Sequence, residues 1–345
     1  MKRQTNARKN LFNILFLVLI IGATAWYLFR DQDMPELLSA VAQARKEWLA
    51  AGVVLVVLYV CGESVIIRYL LGKLGKKAAL SSCIRYSFIG FFFSCITPSA
   101  SGGQPAQVYY MKRNGIELTD SALVLLIVTI TYKFVLVFLG ALLCLFGNGE
   151  FWMRISEVKG VFFLGMALNV VCVAAMLLIV FDRGFAKKAV MGLLGLAERC
   201  HLLKPSKERS RKWSNAMDEY HAAAGFFVEH PGVIGNVFLI TLVQRICLFA
   251  VTYLVHLAFG GSGDGIVLLP SLQAVISISV DMLPLPGGMG ISEGLFLRIF
   301  PTVFGEDRVL PAMLLSRGIS YYVLLILSAA VTGISQLLEK KRAAE

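Results

Sequence analysis

Residues 91–113 read FFFSCITPSASGGQPAQVYYMKR, an apolar run that is interrupted and then resumes. The interruption begins at Thr97-Pro98, continues through Gly102-Gly103 and ends at Pro105, a residue that suits the first turn of a helix. Proline prevents a helix from continuing through it, and glycine lets the backbone turn tightly. We therefore predict two short helices joined by an irregular segment.

A second stretch, residues 279–298, has the same organisation in the sequence SVDMLPLPGGMGISEGLFLR. Its irregular part contains Pro286, Gly287-Gly288 and Gly290, and a serine at 292 followed by an acidic residue is typical of a helix start. Two related interruptions in one chain indicate a repeated feature rather than two unrelated turns. We interpret them as paired centres around which the other helices are arranged.

The composition of the whole chain is that of a membrane protein. Its 345 residues are 57% hydrophobic and 16% charged, with a mean hydropathy of +0.72, a balance that soluble globular domains do not have. Six apolar segments are long enough to cross a bilayer, which needs roughly 20 residues. They are Leu11–Phe29, Trp48–Ile67, Ala122–Phe146, Val161–Phe181, Val233–Phe259 and Val309–Leu338. The predicted fold class is therefore an all-α polytopic membrane protein.

The net charge of +11 is concentrated between these apolar runs. Such basic clusters occur in nucleic-acid-binding proteins and also in the cytoplasmic loops of membrane proteins. We favour the second explanation, which makes anionic lipid headgroups, and not nucleic acid, the expected partners. It places both termini in the cytoplasm, in a multi-pass protein of a bacterial cell membrane whose first helix is retained rather than cleaved as a signal peptide.

The first interrupted stretch is predicted to enter the membrane without crossing it. Its apolar half, Cys83–Ile96, is shorter than a membrane span, and basic residues flank the stretch at both ends. The simplest path is a re-entrant hairpin over about residues 83–111 that enters from the cytoplasm. Crossing parity and charge favour a second hairpin, over about residues 266–304, that enters from outside. Irregular backbone at that depth has to be enclosed by protein or face a wet cavity.

These hairpins divide the chain into an inverted repeat of three spanning helices plus one re-entrant hairpin each. Residues 1–150 form the first predicted repeat and residues 151–345 the second, which includes a basic cytoplasmic loop over 182–230. An odd number of crossings separates the repeats, so their orientations in the membrane are opposite. Inverted repeats with broken helices are typical of transporters that bind their substrate near the bilayer midplane.

Several charged residues lie where lipid cannot solvate them. An ionisable side chain at the bilayer centre costs about 2.5–3.5 kcal/mol or more, so each is expected to face the interior of the helix bundle. The set predicted to bind a lipid headgroup is Lys133, Arg245, Arg317, Arg85, Asp281 and Glu293. Cations outnumber acids in this set, and the helix starts at Pro105 and Ser292 add partial positive charge, which favours a phosphate ligand. The alternative is that these acids and arginines only pair with one another.

Motifs of soluble enzymes are missing from the sequence. It has no P-loop, no HExxH and no GxSxG, and its cysteines include no CxxC pair. The histidines do not have the spacing of metal ligands. We therefore expect no catalytic residue, no metal and no cofactor.

The motifs TPSASGGQPAQVYYMKRNG and LPLPGGMGISEG, with the later LLSRGISYY, resemble the membrane region of the lysylphosphatidylglycerol synthase and flippase family. The residues that carry the resemblance are Thr97, Pro98, Gly102, Gly103, Pro105, Arg113, Pro286, Gly287, Gly288, Gly290, Glu293 and Arg317. In two-domain members this region is implied to move aminoacylated phosphatidylglycerol between leaflets, after a soluble domain has made that lipid from aminoacyl-tRNA. This sequence stops at Glu345, directly after the last helix, so transferase activity is not expected of it alone.

Three functions are consistent with these features. The first is a flippase-like translocator of an anionic or aminoacylated phospholipid. The second is a phosphatidylglycerol lysyltransferase or its membrane subunit, and the third is a membrane scaffold for a lipid or glycan enzyme. A separate synthase or glycan enzyme and a second copy of the chain are the expected protein partners. Charged residues beside two broken helices favour the translocator, because a scaffold needs neither.

Overall fold

The structure is a computed structural model that describes residues 34–97, 100–181, 192, 225–227 and 229–344. Within those ranges every regular element is helical, and five helices are long and apolar enough to cross a membrane. They are Lys46–Lys73, Leu118–Phe146, Ser156–Val180, Pro231–Ala258 and Glu306–Leu337. An α-helical membrane protein is thereby confirmed. The predicted first span, Leu11–Phe29, and most of the basic loop 182–230 lie outside the described residues.

The helices are numbered here in chain order. They are α1 (Met34–Gln43), α2 (Lys46–Lys73), α3 (Leu80–Cys95), α4 (Gly103–Arg113), α5 (Leu118–Phe146), α6 (Gly149–Arg154), α7 (Lys159–Phe181), α8 (Pro231–Ala258), α9 (Leu268–Val280), α10 (Ile291–Ile299), α11 (Pro301–Phe304), α12 (Glu306–Arg317) and α13 (Leu324–Ala344). The last span is not uniform, because a π-helical segment, Gly318–Val323, connects α12 to α13. Segments of this kind often occur at functional sites.

The first interrupted stretch folds as two antiparallel helices, α3 and α4, in close contact. Gly103 lies against Ser94, and Gln107, one turn further along, lies against Gly90. A methyl group on Gly103 would come within 2.0 Å of the Ser94 hydroxyl, so the glycine is what allows the two helices to approach.

The turn before α4 is stabilised by Thr97. Its hydroxyl donates to the Phe93 carbonyl at 2.7 Å and accepts from the Gly102 amide at 2.9 Å. Helix α4 begins at Gly103, two residues before the predicted start at Pro105. Proline is tolerated there because the amides of a first helical turn have no partner within the helix.

The second interrupted stretch connects α9 to α10 through a turn that only glycine adopts easily. Gly287, Gly288 and Gly290 have φ values of 58°, 67° and 83°. Helix α10 begins at Ile291, one residue before the predicted Ser292. The Glu293 carboxylate accepts the Gly290 amide at 2.7 Å, which satisfies a donor that the helix leaves free.

Both broken elements pack against the long helices. Helix α3 contacts α2 and α13, and α9 contacts α7 and α8. A methyl group on Gly165 of α7 would lie 2.4 Å from the Ile278 carbonyl of α9, so these two helices are in backbone-level contact. The helices that lead into the two interruptions, α3 and α9, are therefore packed against long helices of the bundle.

Candidate functional site

A cavity of about 530 Å³ lies where the two broken elements approach each other, and it is lined by residues of both. Residues of α2, α5, α7, α8, α12 and the π-helical segment complete its wall. The charged side chains that line it are Glu63, Lys133, Arg245, Asp281 and Arg317. Charged groups inside a helical membrane bundle are costly and usually functional, which makes this cavity the candidate site.

Lys133 and Asp281 form a buried ion pair at one side of the cavity. The lysine Nζ lies 2.7 Å from Asp281 Oδ2, and the Tyr132 hydroxyl donates to the other carboxylate oxygen. The two charged side chains are 11% and 8% exposed. This pair connects the middle of α5 to the end of α9, so it positions the second broken element.

Arg317 is bound to the turn of the second broken element. Its Nε lies 2.7 Å from Glu293 Oε1, and its Nη2 donates to the Gly287 carbonyl at 3.0 Å. One turn later, the Tyr321 hydroxyl donates to the Cys95 carbonyl at 3.2 Å. That carbonyl belongs to the last turn of α3, where helix carbonyls have no internal partner. The end of α12 and the following π-helical segment therefore contact the second turn and the end of α3 together.

Arg245 differs from the other two cations. Among the described residues no carboxylate lies within 4.0 Å of it. Its guanidinium instead lies over two aromatic rings, 3.7 Å from the ring centre of Tyr132 and 4.9 Å from that of Tyr59. Its Nε is buried and has no hydrogen-bond partner in the part of the chain that the structure describes. The aromatic faces stabilise the cation while leaving hydrogen-bond donors for a ligand.

Glu63 is a charged residue of the cavity that was not among the predicted site residues. It lies in the middle of α2, and its Oε1 accepts from Gln107 Nε2 of α4 at 2.7 Å. Within the described chain, no lysine or arginine nitrogen lies within 4.0 Å of its carboxylate. An acidic residue near the centre of an apolar span was the available signal, and it is the same signal that identified the three cations.

The predicted site residues fall into two groups in the structure. Lys133, Arg245, Arg317 and Asp281 line the cavity, and Glu293 lies behind Arg317 as its partner. Arg85 is not among the described residues that line it; its Nη2 donates to the Ser82 hydroxyl at 3.2 Å on α3. Arg85 therefore contributes to α3 and not to the wall of the cavity.

The charge balance at the cavity is more even than that of the predicted set of site residues. Three cations, Lys133, Arg245 and Arg317, face three acids once Glu63 is counted with Asp281 and Glu293. Pairing of Glu293 with Arg317 was one of the expected alternatives, whereas the partner of Asp281 is a lysine instead of an arginine. Two pairs are therefore internal, and Arg245 is the cation that keeps donors for a ligand.

Most predicted turn residues have identifiable roles. Gly287, Gly288 and Ser292 line the cavity, Thr97 and Gly102 form the first turn, Gly103 begins α4, and Gly290 directly precedes α10. Pro105 lies in the first turn of α4 and Pro286 is buried, whereas Pro98 lies outside the described residues. Across the described ranges, no three His, Cys, Asp or Glu side chains are grouped in a way that could hold a metal ion.

The fold and the cavity define a class: polytopic α-helical membrane proteins with charged groups enclosed in the bundle. The chain belongs to the family described as the lysylphosphatidylglycerol synthase TM region, whose sequence profile matches residues 13–328. This match confirms the resemblance found in the sequence. The chain is also 24% identical over 232 residues to a UPF0104 membrane protein of Archaeoglobus fulgidus. The aligned region covers 66% of this chain and 67% of that protein.

Proposed function

We propose that this protein is a flippase-like translocator that moves an anionic or aminoacylated phospholipid between the leaflets of a bacterial cell membrane. The observation that carries the proposal is Arg245, which lines the cavity and has no carboxylate within 4.0 Å among the described residues. Arginine binds phosphate through paired, charge-assisted hydrogen bonds. A phosphodiester is therefore the ligand group that best matches the wall of this cavity.

The topology that we propose has two re-entrant hairpins, over about residues 83–111 and about residues 266–304, in oppositely oriented repeats 1–150 and 151–345. The length of α3 supports this, since 16 residues at about 1.5 Å each give about 24 Å, less than the roughly 30 Å of a hydrocarbon core. Both termini are cytoplasmic in this arrangement. A site between two such hairpins is reached from either leaflet by small movements of the surrounding helices.

The remaining charges have a structural part in the proposal. The pairs Lys133–Asp281 and Arg317–Glu293 keep the walls of the cavity in place. Their polar atoms also provide a path along which a headgroup exchanges hydrogen bonds while the acyl chains stay in the lipid. A scaffold for another enzyme does not need a cavity lined by charged groups, which is why translocation is the preferred function.

The test is a translocation assay in liposomes that contain the purified protein and a phospholipid labelled on its acyl chain. Label in the outer leaflet is destroyed by an added impermeant reductant, so the rate of the slow phase reports exchange between leaflets. We expect Arg245→Gln to slow this phase by about tenfold or more, because it removes a charge-assisted contact with phosphate. Arg308→Gln, at an exposed position at the start of α12, is the matched control and should leave the rate unchanged.

Two outcomes contradict the proposal. Liposomes with wild-type protein that show no exchange above protein-free liposomes would rule out translocation of the lipid tested and favour the scaffold. A wild-type rate in well-expressed Arg245→Gln protein would show that this cation is structural and that the headgroup binds elsewhere.

A further inference from the structure

Two charged groups of the cavity remain without an ionic partner once the internal pairs are assigned. Lys133 binds Asp281, and Arg317 binds Glu293. Of the other charged side chains in the described wall, Arg245 is a cation without a carboxylate within 4.0 Å and Glu63 is a carboxylate without a cation within that distance. The wall therefore offers one positive and one negative position.

These two positions are at the same level of the bundle. Glu63 follows Gly62 on α2, and Arg245 follows Gln244 on α8. A methyl group on Gly62 would lie 2.5 Å from Gln244 Cγ, and Gln244 Nε2 donates to the Tyr59 carbonyl of α2 at 2.6 Å. The helices are thus in direct contact at this level, and the charged groups that follow are neighbours across the contact.

Each charged group is nevertheless held by a neutral partner instead of by the other. Arg245 lies over the rings of Tyr59 and Tyr132, and Glu63 accepts the side-chain amide of Gln107. A half-buried guanidinium and a half-buried carboxylate that are close but form no salt bridge have unused hydrogen-bonding capacity. The ligand that would satisfy both groups is a single molecule that carries a negative group for Arg245 and a positive group for Glu63.

We propose that Glu63 is a specificity-determining residue that accepts hydrogen bonds from a protonated amine on the headgroup, while Arg245 binds the phosphodiester of the same headgroup. The preferred substrate class is then a phospholipid with one phosphodiester and a primary amine. This inference rests on the proposed function and adds to it the selection of an amine. The discrimination follows from the cost of desolvation, because a headgroup without the amine leaves the Glu63 carboxylate without a cationic partner when water is displaced.

The experiment compares two lipids that differ only at the amine. Phosphatidylethanolamine and N-acetyl-phosphatidylethanolamine, both labelled on the acyl chain, are assayed with wild-type protein and with Glu63→Gln. Glutamine has nearly the same shape and retains a carbonyl that accepts the Gln107 amide, so folding is expected to be preserved. Glu150→Gln, on the short helix α6 outside the cavity, is the control for removal of a carboxylate.

Two readouts are used, so that the inference is tested even if exchange is slow. One is the translocation rate, and the other is binding in detergent, measured as competition between the two lipids for the purified protein. We expect wild type and Glu150→Gln to prefer the amine-bearing lipid by about tenfold or more, as is typical of a hydrogen bond to a charged group. In Glu63→Gln the preference should fall to near onefold, with the acetylated lipid bound no more weakly than before.

The possible failures are distinguishable. Absence of exchange together with amine-selective binding that depends on Glu63 would contradict translocation and support the amine site. Equal binding of both lipids by wild type, or an unchanged preference in Glu63→Gln, would overturn the inference while leaving translocation intact. Competition by water-soluble phosphoethanolamine as strong as that by the lipid would show that the ligand is a soluble zwitterion, which overturns the assignment of a lipid.

Discussion

Lys133 and Asp281 illustrate how a single buried charge is tolerated in this bundle. Their contact of 2.7 Å joins positions 148 residues apart, and both side chains are almost fully enclosed. Removing one partner of a buried ion pair leaves an uncompensated charge, whereas replacing both with apolar groups removes the cost of desolvation as well. Replacing one residue of the pair is therefore expected to destabilise the protein more than replacing both residues with apolar ones.

This difference gives a stability prediction. Lys133→Met alone and Asp281→Leu alone should each destabilise the protein by about 3–5 kcal/mol, and the double variant should recover most of that loss. The measurement is thermal or denaturant unfolding in a fixed detergent. Glu47→Gln, which removes an exposed pair with Arg45 at 3.9 Å, is the control and should change little. A double variant as unstable as the sum of the two single variants would contradict the ion pair.

At the scale of elements, the turn between α9 and α10 depends on the backbone of Gly287. Its φ of 58° is unfavourable for residues with a side chain, and a methyl group there would lie 2.1 Å from the Tyr321 ring. The same residue accepts the hydrogen bond from Arg317. The contact between the second broken element and the last span is therefore sensitive to one added carbon.

We expect Gly287→Ala to lower the free energy of unfolding by about 1–3 kcal/mol, since it adds overpacking to backbone strain. Gly294→Ala, four residues after Gly290 in α10, meets no atom within 4 Å and should be neutral or slightly stabilising. Parallel melting curves of the two variants in the same detergent test this. Equal stability of Gly287→Ala and wild type would mean that the turn adopts another backbone conformation.

At the scale of the whole molecule, the proposed inverted repeat makes a prediction about sidedness. In the proposed arrangement Asn114, after α4, and Asp307, at the start of α12, would lie in equivalent regions of oppositely oriented repeats. Cysteines introduced at these two exposed positions of a cysteine-free protein should react with an impermeant reagent from opposite sides of the membrane. Labelling of both from the same side in intact and inverted vesicles would contradict the inverted repeat.

The broad architecture could be predicted because it depends on local properties of the chain. Six apolar runs were predicted as spans from hydropathy alone, and the five that lie within the described residues are long apolar helices, since a helix in lipid satisfies its own backbone wherever the neighbouring helices lie. The two interruptions were identified because proline and glycine act on the backbone at their own position. The errors of one or two residues at the starts of α4 and α10 reflect the tolerance of a first helical turn.

By itself, then, the sequence determined the helical membrane class and the places where helices break. It also determined that Lys133, Arg245 and Arg317 need an interior environment. Each of these results depends on hydropathy, on backbone restriction or on the cost of burying a charge, which are properties of single residues or short segments. Only the tertiary structure decided which group each charged side chain contacts. Lys133 meets a carboxylate 148 residues away, Arg245 meets two tyrosine rings and Glu63 meets Gln107. Those choices follow from the rotation of each helix about its axis and from the close approach of helices at glycines. Both depend on packing of the whole bundle, which no local pattern encodes.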